Sequence, residues 1–218
     1  MALNSSQRRR RSTSSPSGAV PIPSTLWALD ADRLDWTQRW PEPILSRAVH
    51  EFSAPGSRVL LIGWPAPSAR GSLRVIEPDT ATALAAIRDM DRDGTDRVGD
   101  TGAPVDLVIA SLLADHHDSI SAAEHVTALA IESMAMGAVL VVLSRCRHSE
   151  HGTLLDPAGP VIHCAQAADL LYLQHIIAAP VTGHTITATA PAAPRASGIP
   201  QHTVAHTDVV VFLQPEHG

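Results

Sequence analysis

VLLIGWPAPSARGS, the stretch from Val59 to Ser72, decides the fold. Its first four residues are apolar, which predicts a strand buried on both faces, as in a parallel sheet covered by helices. Gly63 ends this strand at the point where nucleotide-binding α/β proteins place a glycine-rich loop. Trp64, Pro65 and Pro67 follow, so the turn lacks the G-x-G pair that lets a backbone approach a ligand closely. The stretch therefore predicts the sheet of such a protein with an altered ligand turn.

Length and composition favour one α/β domain. The chain has 218 residues, enough for a single sizeable core. Hydrophobic residues make up 44% of it but aromatic residues only 3%, so the core must consist mainly of Ala, Val, Leu and Ile. Helix-covered parallel sheets commonly have such cores.

The charge distribution separates a basic tail from an acidic body. The net charge is −6, and all 16 basic residues are arginines. Arg8–Arg11 are the only charged residues among the first twenty. We expect residues 1–20 to be a disordered basic tail, either simply solvated or acting as a nucleic-acid arm. The acidic remainder argues against broad wrapping of nucleic acid, while a local basic groove remains an alternative nucleic-acid site.

Cysteine usage and hydropathy predict a reduced, cytoplasmic protein. Cys146 and Cys164 show no C-x-x-C spacing, and no signal-type apolar run lies near the N-terminus. No apolar stretch reaches the roughly eighteen residues that span a bilayer. We therefore expect no membrane association.

Residues 21–53 are predicted to form an N-terminal cap. Trp27, Trp36 and Trp40 precede a helical pattern over residues 43–52. Aromatic residues beside a helix usually belong to a core, so we expect this segment to pack across the sheet. The alternative is that these rings stack on nucleic-acid bases.

Apolar runs and helical periodicity predict the remaining elements. The first two strands are separated by only about eight residues, too few for the usual crossover helix, which is therefore shortened or lost. The last two strands are expected to be antiparallel, in an otherwise mostly parallel sheet. The predicted strands are 58–63, 72–78, 97–98, 105–113, 138–143, 171–180 and 207–213, and the helices are 79–91, 121–136 and 165–170.

Three stretches carry a resemblance to a known family. They are APGSRVL at Ala54–Leu60, VDLV at Val105–Val108, and the C-terminal part Leu171–Pro215, which contains RASGIPQHTVAHTDVVVFLQP. Over roughly residues 25–215 the chain resembles bacterial DNA methylase-like proteins, which are S-adenosylmethionine-dependent amino-methyltransferases. The resemblance implies a Rossmann-like class I methyltransferase fold for residues 54–215.

The resemblance also implies a cofactor site for S-adenosylmethionine. Related enzymes hold the methionine end with a D-P-x-x-G-x-G-T-T turn, of which Gly63 is the one glycine present here, and Trp64 is placed to fill the remaining space. Glu77 matches the carboxylate that binds the ribose, and Asp100 matches the one that meets the adenine amino group. For both acids, a solvated loop or a helix cap is the alternative.

The catalytic motif points to Ser111. The family places Asp, Asn or Ser before Pro-Pro and an aromatic residue, so that oxygen atoms accept hydrogen bonds from the target amino group. Here the sequence reads Ser111-Leu112-Leu113-Ala114, without the prolines or the aromatic residue. The resemblance implies methyl transfer to an exocyclic nitrogen, whereas two altered motifs favour an inactive binding or regulatory protein. Whether the chain is an enzyme stays open at this point.

A metal site is not expected. Asp115–Asp118 reads DHHD after a buried strand, and His148 and His151 follow the next one. Adjacent side chains in one short loop point in different directions, whereas zinc requires three or four convergent ligands. We therefore interpret the DHHD stretch as a polar loop that caps the next helix.

Overall fold

The structure is a computed structural model. It describes residues 25–64, 69–70, 73–74, 77–99, 103–114, 118–149, 153–187 and 205–216. The predicted basic tail and Asp100 lie outside these residues, as do Asp115–His117.

Four α-helices form among the described residues. α2 begins after Glu77 with a proline in its first turn, a position where the missing N–H costs nothing. α3 begins at Asp118, whose carboxylate accepts hydrogen bonds from the Ile120 and Ser121 amides. The helices are α1 (Glu42–Phe52), α2 (Pro78–Asp89), α3 (Ser119–Ser133) and α4 (Ala158–Ala167).

Seven strands form the path of the main sheet, with β11 pairing on β10. Its order is β1-β10-β12-β7-β6-β2-β5, where β12 is antiparallel to both of its neighbours and the other main pairs are parallel. The strands are β1 (Leu26–Asp30), β2 (Arg58–Gly63), β3 (Ala69–Arg70), β4 (Leu73–Arg74), β5 (Asp93–Thr95), β6 (Val105–Ser111), β7 (Met134–Ser144), β8 (Arg147–His148), β9 (Leu154–Leu155), β10 (Leu171–Thr182), β11 (Thr185–Ile186) and β12 (Thr207–Leu213).

This order confirms the predicted fold class, an α/β sheet of the Rossmann-like class I methyltransferase type. The central strands β2, β6 and β7 are parallel, and β12 returns between β7 and β10, which makes the C-terminal pair antiparallel as expected. Helices cover both faces, because two separate apolar clusters lie on opposite sides of the sheet. One cluster contains residues of α1 and α2, and the other contains residues of α3 and α4.

The region after β2 differs from the prediction. Among the described residues of the expected strand 72–78, Leu73–Arg74 is extended and pairs with Ala69–Arg70 in a separate hairpin, whereas Pro78 already belongs to α2. The neighbour of β2 is instead β5, at Asp93–Thr95 rather than at the expected 97–98. No helix lies in the described part of the chain between β2 and Glu77. α2 connects β2 to β5. The strand at this edge of the sheet is therefore β5, which is shorter and more polar than the predicted strand 72–78.

The predicted N-terminal cap contributes both a helix and a strand. β1 pairs in parallel with the distal half of β10, with Trp27 opposite Ala178. The Trp27 ring is fully buried and lies 6.5 Å from the Phe52 ring between centroids. This packing places Trp27 in the core rather than on a base-stacking surface. Among the described residues, none of the helices is long and apolar enough to cross a membrane.

We expect Trp27→Ala to lower the free energy of unfolding by about 3–5 kcal/mol, because it removes a large buried ring. Urea unfolding followed by circular dichroism measures this change. The matched control is Leu26→Ala on the same strand, where the side chain is 45% exposed and the expected change is within about 0.5 kcal/mol. Equal effects of the two substitutions would contradict the placement of β1 in the sheet.

Candidate functional site

The carboxyl ends of the central parallel strands form the candidate site. Gly63 at the end of β2 lies opposite Ser111 at the end of β6, and Ser111 lies opposite Leu143 of β7. Open α/β sheets bind their ligands at this edge. The structure therefore brings two predicted site residues, Gly63 and Ser111, together.

A segment from the N-terminal region lies across this edge. We call residues Trp36–Trp40 the strap. The main chain of Arg39 is held at both ends: its amide donates to Asp79 Oδ2 at 2.7 Å, and its carbonyl accepts from Ser111 Oγ at 2.7 Å. Trp40 Nε1 donates to Thr80 Oγ1 at 3.1 Å in a buried bond. The strap is therefore fixed to β6 and to the first turn of α2.

The Arg39 side chain lies over Gly63. A Cβ atom at Gly63 would be 2.6 Å from Arg39 Nη1, too close for a real contact. The same guanidinium nitrogen lies 3.0 Å from Glu77 Oε2. The Glu77 side chain is 41% exposed, and ion pairs of such exposure contribute about 0–1 kcal/mol to stability. Arg39 thus lies beside Gly63 and Glu77. Moving its side chain away from Glu77 would cost little free energy.

In this arrangement the Arg39 side chain occupies the space beside Gly63 and Glu77 in which the resemblance places S-adenosylmethionine. The missing Cβ of a glycine serves a cofactor only when the ligand can approach the backbone there. At Gly63 the guanidinium fills that space, and the carboxylate of Glu77 is paired with it. No methyl-transfer step is therefore derived from these residues.

Asp96 is an acidic residue that the sequence did not single out. It directly follows β5, the parallel neighbour of β2, and its side chain is buried. A carboxylate after the second parallel strand is what the resemblance requires for a ribose. Glu77 instead sits at the start of α2, and Asp100 lies outside the described residues. The misplaced strand explains why Asp96 was missed.

Ser111 is engaged inside the protein. It is fully buried, its hydroxyl donates to the Arg39 carbonyl, and its own carbonyl accepts from the Trp64 amide at 3.1 Å. The Leu113 amide lies 3.4 Å from the same hydroxyl. The side-chain oxygen that the resemblance assigns to a target amino group is therefore bonded to the chain itself.

Trp64 does not take the role expected of it. Its ring packs against His125 of α3, with 4.7 Å between ring centroids, and it contacts the apolar cluster on the α3 and α4 side. Val59 and Leu61 lie on the same face of β2 as Gly63. Both belong to the apolar cluster on the α1 and α2 side. Among the described side chains, Arg39 rather than Trp64 is the one that closes the space above Gly63.

The other end of the strap is held by Arg145, which follows β7. Its guanidinium stacks on the Trp36 ring at 4.2 Å from the centroid, and Nη1 donates to the Trp36 carbonyl at 3.1 Å. Nη2 donates to Thr207 Oγ1 at 3.1 Å. One arginine therefore connects the strap to the start of β12.

A polar cluster lies beside this contact. Asp208 is buried in β12, and its Oδ1 lies 2.8 Å from His175 Nε2 and 3.3 Å from His206 Nε2. The hydrogen bond to Asp208 raises the pKa of His206 above its ordinary value. Burial, reinforced by Asp156 and Asp208, raises the pKa of the Cys146 thiol to about 11. Because the thiolate is the nucleophilic form, Cys146 is unsuited to nucleophilic catalysis at neutral pH.

Metal ligation finds no support in the described part of the chain. No group of three His, Cys, Asp or Glu side chains there is arranged to hold a metal ion. Asp118 caps α3, as interpreted from the sequence, whereas His151 lies outside the described residues. His148 belongs to the short hairpin of β8 and β9.

Comparisons with known proteins match the sheet but not the sequence. No protein-family profile matches the chain, and no curated protein sequence is similar to it. Similar solved structures include the N-methyltransferase NodS from Bradyrhizobium japonicum with S-adenosyl-L-homocysteine, at 14% identity, 82% coverage of this chain, 89% of that chain and a TM-score of 0.45. Another is 1,6-didemethyltoxoflavin-N1-methyltransferase from Burkholderia thailandensis, at 13% identity, 83% coverage of this chain, 81% of that chain and a TM-score of 0.46. The [4+2]-cyclase SpnF has 14% identity, 84% coverage of this chain, 86% of that chain and a TM-score of 0.46. No residue role in this chain follows from these values.

A double-mutant cycle tests the contact between Gly63 and Arg39. Gly63→Ala alone should lower the free energy of unfolding by up to about 1 kcal/mol, because the new methyl group displaces the guanidinium and its ion pair with Glu77. In the Arg39→Ala background, the same change should be neutral or stabilising by up to about 1 kcal/mol. Guanidinium chloride unfolding gives both values.

The control for this cycle is Gly159→Ala in α4, where an added Cβ meets no atom within 4 Å. Its effect should be the same in both backgrounds. A Gly63→Ala effect that does not depend on residue 39 would show that Arg39 does not lie over Gly63.

Proposed function

We propose that this chain is a methyltransferase-fold protein, related to the nucleic-acid amino-methyltransferases, that acts by binding rather than by methyl transfer. The observation that carries the proposal is the Arg39 guanidinium, which lies over Gly63 and pairs with Glu77. In this proposal the Arg39 side chain takes the place that the resemblance assigns to the cofactor. Fold and function are separable in this way because activity depends on the site rather than on the sheet.

The second altered motif supports the same function. Ser111 is fully buried and bonded to the strap, and Leu112 is buried beside it. The Leu112 amide donates to the Leu143 carbonyl at 2.8 Å, which continues the pairing of β6 with β7. The turn that presents oxygens to a target base in the related enzymes is here part of the packed interior. A base therefore has no open acceptor at this position.

A second candidate function is methyl transfer with S-adenosylmethionine after the Arg39 side chain has moved aside. The observation that favours it is the 41% exposure of Glu77, because so exposed an ion pair is weak. In that state Gly63, Glu77 and Asp96 are the residues that would hold the cofactor. Asp100 stays a sequence prediction.

Calorimetry with S-adenosyl-L-homocysteine distinguishes the two candidates. For the wild-type protein we expect no binding heat at about 1 mM ligand, which corresponds to a binding free energy weaker than about −4 kcal/mol. Arg39→Ala should bind better than the wild type, by up to about fivefold, because it removes an ion pair of at most about 1 kcal/mol. Arg88→Ala on the exposed side of α2 is the matched loss of one charge and should behave as the wild type.

Three results would decide against the proposal. Micromolar binding by the wild-type protein, together with transfer of a labelled methyl group to DNA, would establish the second candidate. If Arg39→Ala and the wild type bind equally well, the guanidinium does not close the site. A transfer rate that falls in Ser111→Ala would assign a catalytic role to that serine.

Nucleic acid is the proposed partner class, through Arg8–Arg11 or a local groove. These arginines lie outside the described residues, so the proposal rests on their charge. We expect weak binding of duplex DNA in fluorescence anisotropy, with a logarithmic salt slope of no more than about −4 for four phosphate contacts. Replacing all four arginines by glutamine should abolish it. Binding that survives this replacement would point to a groove on the folded body instead.

A further inference from the structure

His206 lies next to the contact that holds the strap. It directly precedes Thr207, the residue whose hydroxyl accepts from Arg145 Nη2. The other nitrogen of the same guanidinium donates to the Trp36 carbonyl, and the guanidinium plane covers the Trp36 ring. A charge that appears on His206 therefore appears close to the Arg145 guanidinium, which contacts this end of the strap.

From this geometry we infer that protonation of His206 loosens the strap. The protonated imidazole is held by Asp208 and repels Arg145, which then binds Trp36 less firmly. The inference concerns the movement of the strap and does not require that a cofactor binds. It assigns a regulatory role to the two histidines and Asp208, which the proposed function leaves unused.

The charged groups that act on His206 come from three neighbouring parts of the chain. Asp208 of β12 accepts from His206, and on its other side it contacts His175 of β10. Arg145 follows β7, and Asp156 precedes α4. The acids favour the protonated imidazole, whereas Arg145 opposes it.

The directions of the pKa shifts agree with this geometry. The hydrogen bond to Asp208 raises the pKa of His206 above 6.5, against the opposing effects of burial and Arg145. Burial alone would raise the pKa of Asp208, but its bonds to the two histidines outweigh burial, and the net pKa lies below 3.8. The His206–Asp208 bond therefore contributes its full stability below pH 6.5 and loses it as the pH rises through the raised pKa. The Asp208 contribution is present above pH 3.8 and is lost only in stronger acid.

Reciprocity fixes the direction of the effect on the strap. Because the Arg145 charge lowers the pKa of His206, protonation of His206 must weaken the placement of Arg145 by the same free energy. Acidification thus tightens the bond between His206 and Asp208 while it loosens the bond between Arg145 and Trp36. Since both charges are partly exposed, salt should reduce the coupling.

Nuclear magnetic resonance of the Trp36 indole N–H and of the His206 ring tests the inference between about pH 5.5 and about pH 8.5, the range in which histidine titrates. In the wild type, the Trp36 signal should shift with the same midpoint as His206 and broaden towards acid pH. The transition should disappear from the Trp36 signal in His206→Gln. His184→Gln, which removes an exposed histidine from the turn after β10, is the matched control and should leave it unchanged.

A second measurement keeps the test independent of any one variant. Arg145→Gln should raise the His206 midpoint, because it removes the cation that opposes protonation. A Trp36 signal that stays fixed with pH, a transition that survives in His206→Gln, or an unchanged His206 midpoint in Arg145→Gln would each overturn the inference. All three readouts work on the free protein, so the calorimetric result for the cofactor does not affect them.

Discussion

The placement of Arg39 depends on the missing side chain at Gly63. A Cβ atom at this position would lie 2.6 Å from Arg39 Nη1, so any larger residue there would force the guanidinium to shift. The main chain of Arg39 is held separately, by its bonds to Asp79 and Ser111. The N-terminal segment therefore joins the α/β core through these main-chain bonds, and the missing side chain at Gly63 leaves room for the guanidinium.

The strap also solves a hydrogen-bonding problem for the central strands. β6 runs through the interior and ends with Ser111, whose hydroxyl has no access to water. A buried hydroxyl without a partner costs about 1–3 kcal/mol, which the Arg39 carbonyl offsets. In an enzyme of the resembled family such oxygens face the substrate, whereas here they stabilise the attachment of the strap. The hydrogen bond from Ser111 to the Arg39 carbonyl therefore also holds the strap across this edge of the sheet.

Local patterns predicted the parts of the fold that have a local cause. The apolar runs at β2, β6, β7 and β12 are long enough to be recognised as buried strands. β2 and β12 have their predicted bounds, β6 ends two residues earlier than predicted, and β7 begins four residues earlier and ends one residue later. The pairing of β1 with β10 was not predicted, because it joins distant parts of the chain and leaves no periodic signal. β5 was misplaced because DGT is polar and short, so its strand character comes from β2 rather than from its own sequence.

The candidate site, like the fold, was predicted only where its residues have a local sequence signal. Gly63 and Ser111 lie at recognisable strand ends, and the parallel register brings them together. Arg39 could not be identified in advance, because it sits in a tryptophan-rich segment with no motif and reaches the site only through the folded chain. Its position changes the meaning of Gly63. A single glycine at this turn looked like the remnant of a cofactor motif, but the space that it leaves is needed for the arginine. The glycine therefore has a structural reason to be there that does not depend on any cofactor.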